Sequence, residues 1–327
     1  MDTIHIYESH STDPYYNLAI EKQLLDCVQR GECILYLWQN QNTVVIGRNQ
    51  NPWVECRLSL LEEEGGKLAR RLSGGGAVFH DIGNLNFTFL TTSENYDLAR
   101  QMSVIQTACS AAGISTELSG RNDILANGKK FSGNAFYHSQ GKAYHHGTLL
   151  VNADMDKLSR YLSPSKAKLE AKGVSSVRSR VTNLKEFAPA LTCDALREYL
   201  KDAFAAVYGL HPEHIQPFDE TDPAIVLEKE KNASWQWLYG APLPFTFHCE
   251  DRFTWGGIQL QLRVVSGIAE DVKVYTDAMD WTLSKTVEKA VTTCRFTLSD
   301  MKDAISKTRL PQQVREDLIS MLESQNI

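Results

Sequence analysis

Asn127-Gly128, set between residues 123–126 and 129–136, most narrows what this 327-residue chain can fold into. An Asn-Gly pair readily takes two consecutive positive φ angles, the geometry of a two-residue hairpin turn, so the flanking runs are expected to fold back on each other. Gln140-Gly141 marks another turn before residues 144–151. Upstream, residues 67–71, 77–80 and 85–90 read as short strands. Successive hairpins imply a mixed or antiparallel sheet.

Helical spacing punctuates the strands. Residues 15–28 carry Leu18, Leu24, Leu25 and Val28 at helical intervals, opened by Asp13-Pro14 as N-cap and first-turn proline. Residues 58–64 read as a helix stopped by Gly65-Gly66, and 98–112 as one ended by Gly113. Residues 3–8, 33–38 and 43–46 read as strands, the last two around Asn40-Gln41-Asn42. Helices packed on such a sheet make an α+β fold. Pro242 and Pro244 mark a boundary, with a large domain over 1–243 and a small α+β domain over 244–327. In that tail, residues 258–264 alternate with period two, 271–275 are expected to pair with them, and helices are expected near 283–294 and 312–322.

Composition removes several function classes. A net charge of −6 argues against a general nucleic-acid binder, because phosphate backbones call for a cationic surface. No run is apolar enough to span a bilayer, and the amino terminus lacks the basic and apolar regions of a signal peptide. The seven cysteines are scattered without a Cys-x-x-Cys pair, which points to a reducing cytoplasm and to no zinc knuckle or disulfide framework.

Four clusters carry chemistry. The first is Arg70-Arg71-Leu72-Ser73-Gly74-Gly75-Gly76 followed by Ala77-Val78-Phe79-His80. Three glycines let backbone N–H groups approach a ligand, and arginine forks suit phosphate or carboxylate. A plain glycine-rich turn is the competing reading. Neither Gly-x-x-x-x-Gly-Lys-[Ser/Thr] nor Gly-x-Gly-x-x-Gly after a strand occurs, so the run belongs to no P-loop or dinucleotide fold. The second cluster is Gly120-Arg121-Asn122-Asp123 with Lys129-Lys130 across the hairpin. Period two sends one lysine to the ligand face, and parity does not choose between them. An inward lysine would stabilise charge as a carboxylate joins an α-phosphate. Asn122 and Asp123 are turn formers or oxygen ligands for Mg²⁺. In the third, His145 and His146 adjoin in a strand, so they face opposite ways and cannot chelate one metal together. The fourth is a basic run over 166–180, with Arg178 and Arg180, read as a solvated connector or a mobile flap over a nucleotide.

Taken together these segments resemble the lipoate–protein ligase family. Residues 68–81 resemble its lipoate-binding loop, while 120–123 and 130–133 are similar to its nucleotide and invariant-lysine segments. Residues 145–150 resemble a further signature, 171–183 the loop that folds over the adenylate, and the likeness runs on through 252–257. The resemblance implies a catalytic domain of the biotin/lipoate ligase fold and a small accessory domain. It also implies a two-step reaction: lipoate and MgATP give lipoyl-AMP and pyrophosphate, and a carrier lysine then takes the acyl group. The implied carriers are lipoyl domains of 2-oxoacid dehydrogenase E2 subunits and the glycine-cleavage H protein, with no tightly bound cofactor.

By the same resemblance Lys130 contacts carboxylate and α-phosphate, which settles the choice that parity leaves open. Arg71, the backbone of Gly76, Ala77, Val78 and Phe79, Asn122, Asp123, Arg178 and Arg180 take the ATP or adenylate side, with Asp123 the Mg²⁺ neighbour. Ser73, Gly74, Gly75, His80 and His146 line the lipoate side. The nearest rival, an octanoyltransferase of the same fold, uses an acyl-cysteine; in one branch it stands in a Cys-x-x-His-Gly arrangement, where this chain has Ala143. Cys109 falls inside an amphipathic helix and reads as core. A biotin–protein ligase would carry a Gly-Arg-Gly-Arg loop, absent here. A non-catalytic lipoate or lipoyl-domain binding module is opposed by the retained Arg71, glycines and Lys130.

Overall fold

A computed structural model of the chain describes residues 1–48, 50–119, 122–162, 181–240, 245–276, 278, 280, 282–325 and 327. Contacts divide the chain into two units, Met1–Arg48 with Gly65–Ala233, and Asn49–Glu64 with Ser234–Ile327.

The first unit is built on an eight-stranded mixed sheet. In chain order its strands are β1 (Thr3–Glu8), β2 (Glu32–Trp38), β6 (Asn84–Thr92), β7 (Glu117–Ser119), β8 (Asp123–Ala126), β9 (Lys129–Ser139), β10 (Lys142–Leu150) and β11 (Glu213–His214). Their spatial order is β11-β1-β2-β6-β10-β9-β8-β7. β1 runs parallel to β2 and β11, and β2, β6, β10, β9 and β8 pair antiparallel in turn. Both turn signals act as expected: Asn127 and Gly128 take φ of 48° and 73°, and Gln140 and Gly141 take 50° and 76°. A second sheet of order β4-β3-β5 is made by β3 (Thr43–Ile46), β4 (Lys67–Arg70) and β5 (Val78–His80). Strands 33–38 and 43–46 thus flank a polar turn as expected but enter different sheets.

Alternate residues of the large sheet feed two cores. Leu35, Leu37, Phe87 and Phe89 join Ile105 and Cys109 of α4 (Leu98–Ala111) and Leu200 and Phe204 of α6 (Cys193–Tyr208). Ile34, Tyr36, Trp38, Leu90 and Tyr144 join Leu18, Leu24 and Leu25 of α1 (Pro14–Cys27) and Ile225 of α7 (Pro223–Ala233). Each fully buried aliphatic or aromatic side chain contributes about 1.5–3 kcal/mol, so the sheet is fixed between two helical layers. Asp13 caps α1 by accepting from Tyr15 N, with Pro14 in the first turn. A short α5 (Met155–Tyr161) packs on β5.

The second unit holds α2 (Pro52–Glu55), α3 (Leu58–Glu63), α8 (Trp235–Leu238), the antiparallel meander β12 (Phe245–Phe253), β13 (Gly256–Val265), β14 (Ile268–Thr276), and α9 (Leu283–Val291), α10 (Leu298–Ser306) and α11 (Gln312–Glu323). Ile258, Leu260, Leu262 and Val264 of β13 are buried on alternate positions. Contacts draw the division differently from 243/244 in two places. Residues 234–240 belong with the tail because Trp235 stacks on Tyr239 and its Nε1 donates to Ser266 O. Residues 49–64 join it because Trp53 packs on Tyr239 and Phe296 and donates from Nε1 to Phe296 O at 2.8 Å. Pro242 and Pro244 lie outside the described residues.

Candidate active site

Strand register lays out a floor. Trp38 pairs with Asn86, Asn86 with Thr148, and Gly133 N donates to Thr148 Oγ1. The adjacent row is Tyr36, Thr88, His146 and Ala135. Directly paired residues share a face, so both rows look one way, and the intervening Phe87, Phe89, His145 and Phe136 look the other. Neighbouring strands lie about 4.8 Å apart, so the row from Gly133 to Trp38 spans roughly 14 Å.

A pocket opens on this floor. Leu18, Trp38, Val45, Ala77 and Val78 give it an apolar side, and Lys130, Asn122 and Thr148 a polar end. Arg71, Gly75, Gly76, His80, Asn86 and His146 complete the wall. The first and second sequence clusters, with His146 of the third, therefore come together, although 75 residues separate Arg71 from His146 (146 − 71).

Lys130 reaches the pocket through a β-bulge. Asp123, Ile124, Leu125 and Ala126 pair with Gly133, Ser132, Lys130 and Lys129, leaving Phe131 as an extra residue. One inserted residue reverses the parity beyond it, so Lys130 falls on the same face as Gly133 while Phe131 is buried in the opposite core. The Lys130 ammonium lies over Gly133, where a Cβ would sit 3.0 Å from Nζ. It pairs with Asp123 Oδ1 at 2.6 Å, and its backbone carbonyl accepts from Thr182 N. Lys129 turns outward, 3.8 Å from Glu186.

The glycine loop is held from inside. Arg71, buried, donates from Nε to Ser73 Oγ and Gly74 O, from Nη1 to Val45 O, and from Nη2 to Gly74 O and Gly76 O. Burial lowers its pKa to about 10, opposed by the nearby Tyr144 and Glu21, so it stays charged at neutral pH. Its fork grips the loop's own carbonyls, a role the sequence did not suggest. Gly75 has a φ of 90° and lies close to Nη2, where a Cβ would sit at 2.9 Å. Arg70 is equally buried and holds Gly47 O and Arg48 O.

The histidines divide by face. His146 lines the pocket, its Nε2 2.7 Å from Ser73 Oγ and its Nδ1 2.8 Å from Glu21 Oε1. His145 packs among Phe87, Phe89 and Phe136, with Nε2 2.8 Å from Asn134 Oδ1. Burial, with the neighbouring His146, lowers its pKa to about 3. His80 is likewise lowered to about 3 by burial, then by Arg71 and His146, so it is neutral. Asn40 Nδ2 lies 3.2 Å from His80 Nδ1 and must donate to it, which places the ring proton on Nε2. That Nε2 is buried without a partner among the described residues, a fixed donor for a ligand.

Other expected site residues sit apart from the cavity wall. Ser73 lies behind His146, Asp123 beside Lys130, and Phe79 turns away to pack on Tyr161. Gly74 is bound through its carbonyl to Arg71. Gly120, Arg121, Arg178 and Arg180 lie outside the described residues. Among the described residues no three His, Cys, Asp or Glu side chains could hold a metal ion, and Asp123 is already paired. The sequence reading missed Leu18, Trp38, Val45 and Asn86 in the wall and Glu21 behind it. A glutamate at the buried spacing of Leu18 and Leu25 was the available signal for Glu21; the others required the register.

Comparisons with known proteins agree. A family model described as the lipoyl protein ligase A/B catalytic domain matches residues 13–205, and one described as the bacterial lipoate protein ligase C-terminus matches 243–322. Lipoate-protein ligase A of Psychrobacter cryohalolentis is 41% identical over 307 residues, 91% of each chain. The crystal structure of P. falciparum LipL1 in complex with lipoate is 28% identical with a TM-score of 0.65, covering 97% of this chain and 98% of that one. A lipoate-protein ligase A bound with ATP is 25% identical with a TM-score of 0.63, covering 73% and 98%. With a catalytic-domain match over more than half of its length and a relative 41% identical over 91% of it, the chain belongs to the lipoate–protein ligase family.

Proposed function

We propose that this protein activates lipoate with MgATP to lipoyl-AMP and pyrophosphate and passes the acyl group to a lysine of a lipoyl carrier domain. Its carriers are E2 subunits of 2-oxoacid dehydrogenases and the glycine-cleavage H protein, and it works in the cytoplasm. Family membership supports ATP-dependent lipoate ligation. The observation that carries the residue roles is Lys130, a bulge-directed ammonium at one end of a slot that ends on Trp38.

The acid lies along the slot with its carboxylate at Lys130. Its chain rests on Val45, Val78 and Leu18, and His80 Nε2–H and His146 give it polar neighbours. ATP approaches from the Gly76–Phe79 backbone, Asn122, Arg178 and Arg180. Lys130 leaves Asp123 for the carboxylate and α-phosphate, where its charge offsets the negative charge growing in the transition state. Mg²⁺ would come with ATP as part of the substrate and would offset phosphate charge there, and Asp123, once released by Lys130, is the carboxylate that could face it. The carrier amine then attacks the mixed anhydride, a step that depends on positioning. The first unit is the catalytic domain and the second the accessory domain.

Cysteine chemistry is disfavoured. Cys109 is buried with its thiol pushed up to about 12, and Ala143 stands where, by resemblance, one branch of the transferases carries its cysteine. Acid-dependent ATP–pyrophosphate exchange, compared with lipoate, octanoate and biotin, tests the reading. Exchange with lipoate and none with biotin is expected. No exchange with any acid would leave a binding module.

A further inference from the structure

Glu21 lies on the inner face of α1, 2% exposed, where a carboxylate has to be answered by hydrogen bonds or opposite charge. Thr88 Oγ1 donates to its Oε1 at 2.8 Å, and His146 Nδ1 is 2.8 Å from the same atom. The Glu21 oxygen accepts from His146 Nδ1–H, and in the neutral tautomer this selects, Nε2 accepts from the Ser73 hydroxyl at 2.7 Å. The Ser73 oxygen in turn accepts from Arg71 Nε at 3.1 Å. Four buried side chains form one directed chain of hydrogen bonds, a carboxylate at one end and a guanidinium at the other. Arg71 extends it to the carbonyls of Gly74 and Gly76.

The order Ser–His–acid matches that of a hydrolytic triad. Here Ser73 is 1% exposed and its oxygen is already an acceptor for Arg71, so the chain anchors and does not attack.

We propose that Glu21 is a positioning residue for the glycine loop: its charge, relayed through His146 and Ser73, holds Arg71 and with it the 74–76 turn that walls the pocket. Without that charge Arg71 becomes a buried cation lacking its counter-ion, a costly state relieved when the loop opens and water reaches the guanidinium.

Glu21→Gln keeps the size and the acceptor oxygen and removes the charge; Glu21→Ala removes both. Hydrogen–deuterium exchange of the ligand-free protein reads the loop without any activity. Peptide 72–78 is expected to exchange about tenfold faster in Glu21→Gln, the scale of one weakened charge-assisted hydrogen bond, with β6 and β10 unchanged. In pyrophosphate exchange, an arm resting on the ligase reading, the KM values for lipoate and for ATP both rise, because the 74–76 turn walls the acid's slot and adjoins the nucleotide side. Unchanged exchange at 72–78, equal acceleration across α1 and the whole sheet, or unchanged KM values for both substrates would each overturn the proposal. If the wild-type protein shows no pyrophosphate exchange, the ligase reading fails and the deuterium arm still decides the role of Glu21.

Discussion

His145 and His146 adjoin in one strand and inhabit different worlds. His145 is sealed among three phenylalanines on the core face; His146, on the other face, lines the pocket and bonds the glycine loop through Ser73. The same division runs through β2, β6 and β9: Phe87 and Phe89 hold the fold, while Asn86 and Thr88 shape the site. Each strand therefore carries stability and chemistry on alternate residues, and substitutions one position apart should report on different quantities.

The largest effect should come from the core face. Phe89→Ala removes a fully buried ring beside Phe204 and is expected to cost about 3–5 kcal/mol in denaturant unfolding, with the activity per folded molecule retained. A loss below 1 kcal/mol would show that this face is not the packed core described. Next, Gly133→Ala adds a methyl 3.0 Å from Lys130 Nζ at a position that does not need a positive φ. It should leave stability nearly intact and lower adenylation about ten- to a hundredfold by displacing the ammonium. An unchanged rate would place Lys130 elsewhere in the working enzyme.

Acidification sharpens the same contrast. His80 and His145 have folded pKa values near 3, below their ordinary 6.5, so the unfolded chain binds more protons between those limits. Stability is fully present above pH 6.5 and falls as pH drops, by about 1.4 kcal/mol per pH unit for each histidine. Thermal midpoints at pH 7, 6 and 5 should decline in that order; a flat series would mean that neither ring is buried neutral. The smallest effect is expected from Cys109→Ser, which should leave pyrophosphate exchange unchanged for the folded fraction. Its complete loss would revive an acyl-cysteine route.

How much the sequence disclosed follows from the range of the interactions. Asn127-Gly128, Gln140-Gly141, Asp13-Pro14 and the glycine run act through neighbouring residues, so the turns, the cap and the loop were legible. Strand alternation also separated His145 from His146. The bulge was not legible. Regular parity put Lys129 with Phe131, and nothing local announces that Phe131 is the extra residue. Trp38 and Asn86 enter the site only through the register of β2, β6 and β10, set by packing among strands dozens of residues apart. Glu21 was hidden by its company, a lone acid among the mostly apolar buried residues of α1. The excursion of residues 49–64 into the second unit rests on Trp53, whose partner Phe296 is 243 residues away.

The central claim is that one lysine, aimed by a bulge, carries adenylation. Lipoate-dependent ATP–pyrophosphate exchange in Lys130→Ala tests it most directly, with Lys129→Ala beside it as the outward neighbour. The Lys130 variant should lose about 10²–10³-fold, or roughly 3–4 kcal/mol of transition-state stabilisation, with an unchanged unfolding midpoint. The Lys129 variant should stay close to wild type. Wild-type exchange in Lys130→Ala, or an equal loss in both variants, would contradict the account.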